Sequence, residues 1–370
     1  MSKRILVTGG AGFIGSHVAD RLLTSGYSVR VFDNLSPQVH RNGTRPNYLS
    51  PEAELVVGDV RDEDSLGRAL RDVDGVVHLA ASVGVGQSMY EMVSYTQVNE
   101  VGTTVLLEGL AKRPVERLIC ASSMSIYGEG RARASNGELV DPEERSIEQL
   151  RRGAWELEDA NGGTLTPVPT PEDKRPALSS VYALNKFGQE RLCLIAGRAY
   201  QIPTLALRFF NVYGPNQALS NPYTGVLAIF ASRLLNDRPP LVFEDGLQMR
   251  DFVHVRDVAE ACFLALQTTK GIGDVFNVGS GESRTVLSIA SDLAAVLGRK
   301  ITPHVTGKYR AGDIRHCVAD IGKIKRTLGY QPSVRFRDGL EELAGWLAGE
   351  IAEDRVEHAT AELEARGLVA

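Results

Sequence analysis

Over the first two hundred residues, short apolar runs alternate with amphipathic stretches, and each run has the length of a buried strand. Strands are predicted near Arg4–Thr8, Ser28–Phe32, Glu54–Val57, Gly75–Leu79, Arg117–Ala121 and Thr204–Arg208, with helices between them, the first over Ile14–Leu23. Strand-helix alternation of this kind predicts a parallel sheet covered on both faces. The fold class is therefore α/β, a doubly wound parallel sheet with a smaller C-terminal lobe.

After Arg208 the rhythm loosens into turn-rich segments, Asn211–Asn216 and Ser220–Tyr223, and then short strands and helices to about Trp346. The expected organisation is a cofactor domain over 1–208, a lobe over 209–348 and a tail over 349–370. Val275–Val278 is expected to return to the main sheet. The charged, helix-prone stretch Glu350–Gly367 reads as a solvated terminal helix. One stretch breaks the pattern: more than fifty residues between Gly128 and Tyr182, with the insertion at about 129–177, are rich in Arg, Glu, Pro and Gly. A loop that long is a lid, an interface element or a mobile segment.

Composition narrows the classes. With 370 residues, 43% hydrophobic, 24% charged and a net charge of −5, nothing suggests a nucleic-acid surface, and no apolar run would span a membrane. The chain enters its first strand at once, so no secretory signal is expected and the cytoplasm is the default location. Cys120, Cys193, Cys262 and Cys317 are far apart and read as buried hydrophobes rather than disulfides or zinc ligands. The seven histidines show no metal-ligand spacing, and no metal is expected.

The first predicted strand runs into Thr8-Gly9-Gly10-Ala11-Gly12-Phe13-Ile14-Gly15, then a helix. Glycines let the backbone turn tightly and approach a diphosphate, while the helix N-terminus offers unpaired N–H groups and a positive dipole end. Asp33, eighteen residues past Gly15, ends the second strand. An acid there accepts hydrogen bonds from ribose hydroxyls and repels a 2′-phosphate, favouring NAD over NADP and a Rossmann sheet.

Tyr182 and Lys186 stand four apart on a predicted helix and share a face, so the ammonium is expected beside the phenol, stabilising its phenolate. The strand Arg117–Ala121 ends in Ser122-Ser123-Met124-Ser125-Ile126-Tyr127-Gly128, where a hydroxyl would meet the substrate oxygen.

Together with His78-Leu79-Ala80-Ala81, Asn99-x-x-Gly102-Thr103, Arg208-Phe209-Phe210-Asn211-Val212-Tyr213-Gly214-Pro215 and Arg250-Asp251-Phe252-Val253-His254-Val255, these motifs resemble the extended short-chain dehydrogenase/reductase family that acts on nucleotide sugars. The resemblance runs from residue 3 to about 346. It implies Ser123, Tyr182 and Lys186 as the catalytic set, with Ser123 chosen because it stands four residues before Tyr127. It implies an NAD site of Gly9, Gly12, Phe13, Ile14, Gly15, Asp33, Asn34, Asp59, Val60, Leu79, Ala80, Ala81, Asn99, Tyr182, Lys186 and Phe209. For a nucleotide-diphosphate sugar it implies Ser123, Asn211, Val226, Val242, Arg250, Arg310 and Asp313. The forked donors of the two arginines suit phosphate and ribose.

Dehydratases of the family carry an Asp-Glu pair directly after the catalytic Thr, and the UDP-glucuronate decarboxylases carry a Glu in that turn. Here those positions are Met124 and Ser125. The resemblance then implies a 4-epimerase, which oxidises C4 to a 4-keto sugar and returns the hydride to the opposite face. A nucleotide-4-ketosugar reductase and a non-catalytic NAD-binding sensor or scaffold are the alternatives. Tyr127–Arg131, Pro169–Asp173, Asn221–Val226 and Phe243–Gly246 look most like the dTDP-L-rhamnose 4-epimerase type, with the UDP-glucose 4-epimerase type beside it, so the expected partner is a dTDP- or UDP-hexose. Many relatives dimerise through two helices per subunit, here Met92–Ala111 and Val181–Ala199, which implies a homodimer.

Overall fold

In the computed structural model of this chain every residue is described except Met1, Arg41, Asn42, Thr224, Ala311, Ile351 and Ala370. Thr224, within the expected Asn221–Val226 motif, therefore lies outside the described residues.

Seven parallel strands form the central sheet: β1 (Arg4–Thr8), β2 (Ser28–Asp33), β3 (Glu54–Val57), β4 (Gly75–His78), β5 (Arg117–Ser123), β6 (Thr204–Phe209) and β7 (Val275–Val278). Their order is β7-β6-β5-β4-β1-β2-β3, the doubly wound arrangement expected from the alternating pattern. All six predicted strands are present, and Val275–Val278 does return to the sheet beside β6. Strand β5 runs two residues further than predicted, so Ser122 and Ser123 are strand residues rather than turn residues.

Alternation along each strand divides two hydrophobic layers. Ile5 and Val7 face the cluster holding Val18, Leu22, Val258 and Cys262, whereas Leu6, Val76 and Leu118 face Leu66, Leu106 and Cys193. Burial on both faces is why these strands read as nearly continuous apolar runs. All four cysteines are free and buried in these layers, as expected.

The chain leaves β1 toward β2 and β3, then returns to β4 on the other side of β1. That reversal opens a crevice at the carboxyl ends of β1 and β4, where ligands of such sheets bind. A second apolar cluster lies in the lobe, between helices Val226–Leu235, Val286–Val296 and Phe336–Leu347. No helix among the described residues is long and apolar enough to cross a membrane.

Three elements depart from the sequence reading. The helix expected over Met92–Ala111 is interrupted by a π-helical segment at Gln97–Val101 before it resumes at Gly102–Lys112. The insertion forms a small antiparallel sheet, with Ala132–Arg133 between Leu139–Val140 and Thr166–Pro167, and docks on the lobe through buried charges. Glu129 accepts the backbone N–H groups of Arg315 and His316 at 2.8 and 3.1 Å, and Arg145 pairs with Glu244 at 2.9 Å. The tail helix, Val356–Ala365, is not simply solvated, because Val356, Ala359 and Leu363 are buried against the rest of the chain.

Candidate functional site

The glycine turn lies at the mouth of the crevice, and its glycines serve different ends. Gly9 has φ +66°, and a Cβ there would come within 2.8 Å of the Ala80 nitrogen, so the turn and the end of β4 touch backbone to backbone. At Gly15 a Cβ would meet the Gly9 carbonyl oxygen at 2.3 Å, which presses the helix onto the turn. A Cβ on Gly12 meets little, its nearest neighbour being the Gly9 oxygen at 3.4 Å. Gly12 is the N-cap of helix Phe13–Thr24 and supplies no side-chain cap. The open space and the first-turn N–H groups of Phe13 and Ile14 suit a diphosphate.

Asp33 ends β2 beside this turn. Its carboxylate accepts N–H groups from Ala11 at 3.1 Å and Leu35 at 2.9 Å, which aims it while leaving other lone pairs for ribose hydroxyls. Tyr48 donates to the Ala11 carbonyl at 2.9 Å and pins the following loop over the turn, a contact no motif announced. Asn34 and Asp59 meet at 3.3 Å. Asp59 is committed to Arg61 at 2.7 Å, and chiefly this hydrogen bond holds its carboxyl down at about 2. The adenine role expected of Asp59 thus falls to a carboxylate already paired with a cation.

Val60 is buried against Gly102. Leu79, Ala80 and Ala81 follow β4 and are half-buried at the crevice. Asn99, expected along the cofactor path, turns its amide to the chain. It is fully buried, accepting from the Ser82 nitrogen at 2.7 Å and donating to the Ser82 oxygen at 3.1 Å. It holds the segment after Ala81 in place, a positioning role its sequence neighbourhood does not reveal.

Ser123, the last residue of β5, lies beside Tyr182 on helix Val181–Ala199. Burial raises the phenol's pKa, and the hydrogen bond with Ser123 pulls it back. The Ser123 and Ser125 hydroxyl oxygens are 2.5 Å apart, and Ser123 also accepts the Ser125 N–H at 3.2 Å. Ser125 is thus drawn into the site. Lys186 departs from expectation: its ammonium donates to the Ala121 carbonyl and to Gln189 Oε1, each at 2.6 Å, rather than to the phenol. Burial depresses its pKa. Phe209 ends β6 opposite Ser123 and is buried.

Behind this site lies an ion pair that sequence reading did not assign. Arg208 binds Glu190 through two hydrogen bonds of 2.8 and 2.7 Å, and Glu190 also accepts from Ser122 at 2.7 Å. Glu190 stands one helical turn beyond Lys186 and is fully buried toward the sheet. Its position eight residues after Tyr182 was the available signal.

On the lobe side, Asn211 Oδ1 and Arg310 Nε are buried without hydrogen-bond partners, as groups waiting for a polar ligand would be. Arg310 lies 4.1 Å over the Phe243 ring, and burial lowers its pKa, so a facing anion would be favoured. Val226 opens helix Val226–Leu235 and packs against the lobe core. Two further residues expected at the ligand make contacts within the chain. The Val242 side chain is fully buried in that core and its carbonyl accepts from the Thr306 N–H at 2.8 Å. The Arg250 guanidinium donates to the carbonyls of Met249, Ile314 and Arg315. Asp313 pairs with it at 3.5 Å.

Comparison with known proteins agrees with this geometry. Residues 5–147 and 161–279 match the model of the NAD dependent epimerase/dehydratase family. The chain is 38% identical to dTDP-L-rhamnose 4-epimerase of Burkholderia thailandensis, over 94% of this chain and 96% of that protein. It resembles the crystal structure of UDP-glucose 4-epimerase with UDP-glucose from Thermotoga maritima, with TM-score 0.76, 32% identity and coverage of 93% and 98%. A similar likeness, TM-score 0.76 at 30% identity and coverage of 93% and 99%, holds for UDP-glucuronic acid 4-epimerase from Bacillus cereus in complex with UDP-glucuronic acid and NAD.

Proposed function

Because the chain belongs to the NAD dependent epimerase/dehydratase family, we propose that it is an NAD-dependent nucleotide-sugar 4-epimerase acting on a dTDP- or UDP-hexose. One observation carries the reading. The Tyr182 phenol lies beside Ser123 at the end of β5, which favours its ionised form, and the next residues, Met124 and Ser125, supply neither the acid nor the base that eliminating water would require.

Bound NAD would supply the acceptor and then the donor of the hydride at C4. Gly9, Gly12 and Gly15 would hold its diphosphate and Asp33 its adenosine ribose. Ser123 holds the C4 oxygen, and Tyr182 takes its proton. Burial makes the phenol a reluctant acid, and Ser123 is the neighbour that favours its phenolate, while Lys186 is held by Ala121 and Gln189. With NAD bound, the 4-keto sugar would turn over and take the hydride back on its other face, and Tyr182 would return the proton, with no net redox change. Arg310 receives the diphosphate end of the sugar nucleotide, which its unpartnered buried Nε–H supports, while the unpartnered Asn211 Oδ1, an acceptor, meets a hydroxyl or N–H of the same ligand.

Two further parts belong to the proposal. Residues 1–208 act as the cofactor domain and 209–348 as the sugar-nucleotide lobe. The protein works as a homodimer, supported by Met92, Val93, Val101, Leu184 and Ile195, which are exposed on the segments Met92–Lys112 and Val181–Ala199. Four free buried cysteines are in keeping with a reducing compartment, the cytoplasm.

Incubating the purified protein with dTDP- and UDP-hexoses and following C4 stereochemistry by NMR tests the activity. Interconversion without added NAD(P)H is expected. Failure to interconvert any of them, or stoichiometric consumption of NAD(P)H, would overturn it.

A further inference from the structure

The tail lies outside the residues that match the family model, yet it touches both sides of the crevice. Near its start, Asn236 Nδ2 donates to the Ala352 carbonyl at 2.9 Å and Arg233 pairs with Asp354 at 3.3 Å, which anchors it to the lobe. Helix Val356–Ala365, about 15 Å long at 1.5 Å per residue, then crosses toward the main domain. There Leu363 packs on Gly86, where a Cβ would be 3.3 Å from a Leu363 methyl. Gly86 belongs to the turn Val85–Ser88, and the Ser88 hydroxyl accepts the N–H of Tyr182 at 3.0 Å.

The tail next engages two side chains across the crevice from one another. The Arg366 guanidinium stands 4.3 Å over the Tyr90 ring, and Tyr90 in turn donates to the Tyr223 hydroxyl at 2.6 Å, joining the main domain to the lobe. Glu364 pairs with Lys308 at 2.6 Å, and Val369, itself buried, forms an antiparallel bridge with Arg310. Arg310 is the residue whose Nε is buried without a partner over Phe243.

We infer that residues 352–369 are a positioning element of the nucleotide-sugar site, holding Arg310 on the lobe and Tyr90 on the main domain where the nucleotide is received. The inference rests on the nucleotide-sugar reading above. A residue whose backbone is fixed in advance loses less freedom when an anion meets its guanidinium, and the unpaired Nε donor gains a charge-assisted hydrogen bond. The tail therefore acts on affinity, while the reacting atoms at Tyr182 and Ser123 are untouched.

The test compares the full chain with Arg366→Ala, with Arg366→Lys, and with a chain ending at Glu364. Binding of UDP and dTDP is measured by calorimetry, alongside KM, kcat and bound NAD. For Arg366→Ala, nucleotide affinity falls and KM rises by about two- to thirtyfold, the range spanned by cation–π contacts. The shortened chain loses more, Arg366→Lys recovers part of the loss, and kcat and NAD content stay within about twofold of the full chain. Unchanged nucleotide binding and KM in both Arg366→Ala and the shortened chain overturn the inference. So does a fall confined to kcat. Should the shortened chain fail to fold, Arg366→Ala and Arg366→Lys decide alone. If the full chain binds UDP or dTDP but epimerises nothing, the proposed activity fails while the nucleotide-binding comparison still judges the tail.

Discussion

Lys186 Nζ donates to the Ala121 carbonyl at 2.6 Å, so the cation is tied to the strand that carries Ser123 rather than hydrogen-bonded to the phenol one turn before it. The partner that eases the phenol's ionisation directly is Ser123. Helix and strand are thereby locked together at the point where the chemistry is proposed, and the division of labour among the three residues can be separated by substitution.

Tyr182→Phe is expected to lower kcat by about 10²- to 10⁴-fold, the usual contribution of a general acid–base group, with NAD still bound. Ser123→Ala removes the interaction that pulls the phenol's raised pKa back, so the pH–rate profile should move to higher pH as well as lower. Steady-state rates across pH check both. A Ser123→Ala profile unchanged in position would show that Ser123 does not tune the phenol.

Gly12 and Gly15 should respond differently to alanine. A Cβ on Gly15 meets the Gly9 oxygen at 2.3 Å, so Gly15→Ala destabilises the fold by about 1–3 kcal/mol, as overpacking does. A Cβ on Gly12 finds space within the chain, so Gly12→Ala keeps the thermal midpoint of the NAD-free protein but loses bound NAD and the stabilisation it confers. Thermal melts with nucleotide quantification distinguish them, and an NAD-replete Gly12→Ala would remove Gly12 from the diphosphate site.

His78 is buried between Thr8 Oγ1 at 2.7 Å and Thr103 Oγ1 at 3.0 Å, and desolvation pushes its pKa down to about 3. The folded chain therefore binds fewer protons here than the unfolded chain does. Its contribution is fully present above the ordinary histidine value of 6.5 and is lost as pH falls toward 3. Over that window one proton changes stability by about 1.4 kcal/mol per pH unit. Urea denaturation from pH 7 to 4 should show a slope shallower by about one proton in His78→Gln. An identical slope would mean His78 is not the group that charges on unfolding.

Leu184 and Ile195 are exposed on one face of helix Val181–Ala199, with Val93 and Val101 on the neighbouring segment. Leu184→Glu together with Ile195→Glu should convert the proposed dimer to a monomer by sedimentation without unfolding it. Dimers persisting in that variant would place the interface elsewhere.

The Glu190–Arg208 pair illustrates what pattern alone conceals. Both residues lay in segments whose type was legible, a helix and a strand, but their bidentate contact joins residues whose elements meet only when the sheet is complete. The insertion behaved likewise: its composition marked it as irregular, whereas Glu129 and Arg145 found partners in the lobe far along the chain, at Arg315 and Glu244. Val242 and Arg250 carried motif positions, yet one became core and the other bound its own chain's carbonyls.

By itself the chain's pattern determined the strands of the parallel sheet, the glycine turn and the helix that carries Tyr182, because burial periodicity and backbone turns are encoded locally. Only the tertiary structure decided which polar groups are spent inside the protein and which remain for a ligand. Lys186, Asp59 and Asn99 have partners in the chain, while Asn211 Oδ1 and Arg310 Nε have none. Hydrogen-bond satisfaction depends on which distant segments come within about 3 Å of each other, and residue spacing along the chain does not carry that information.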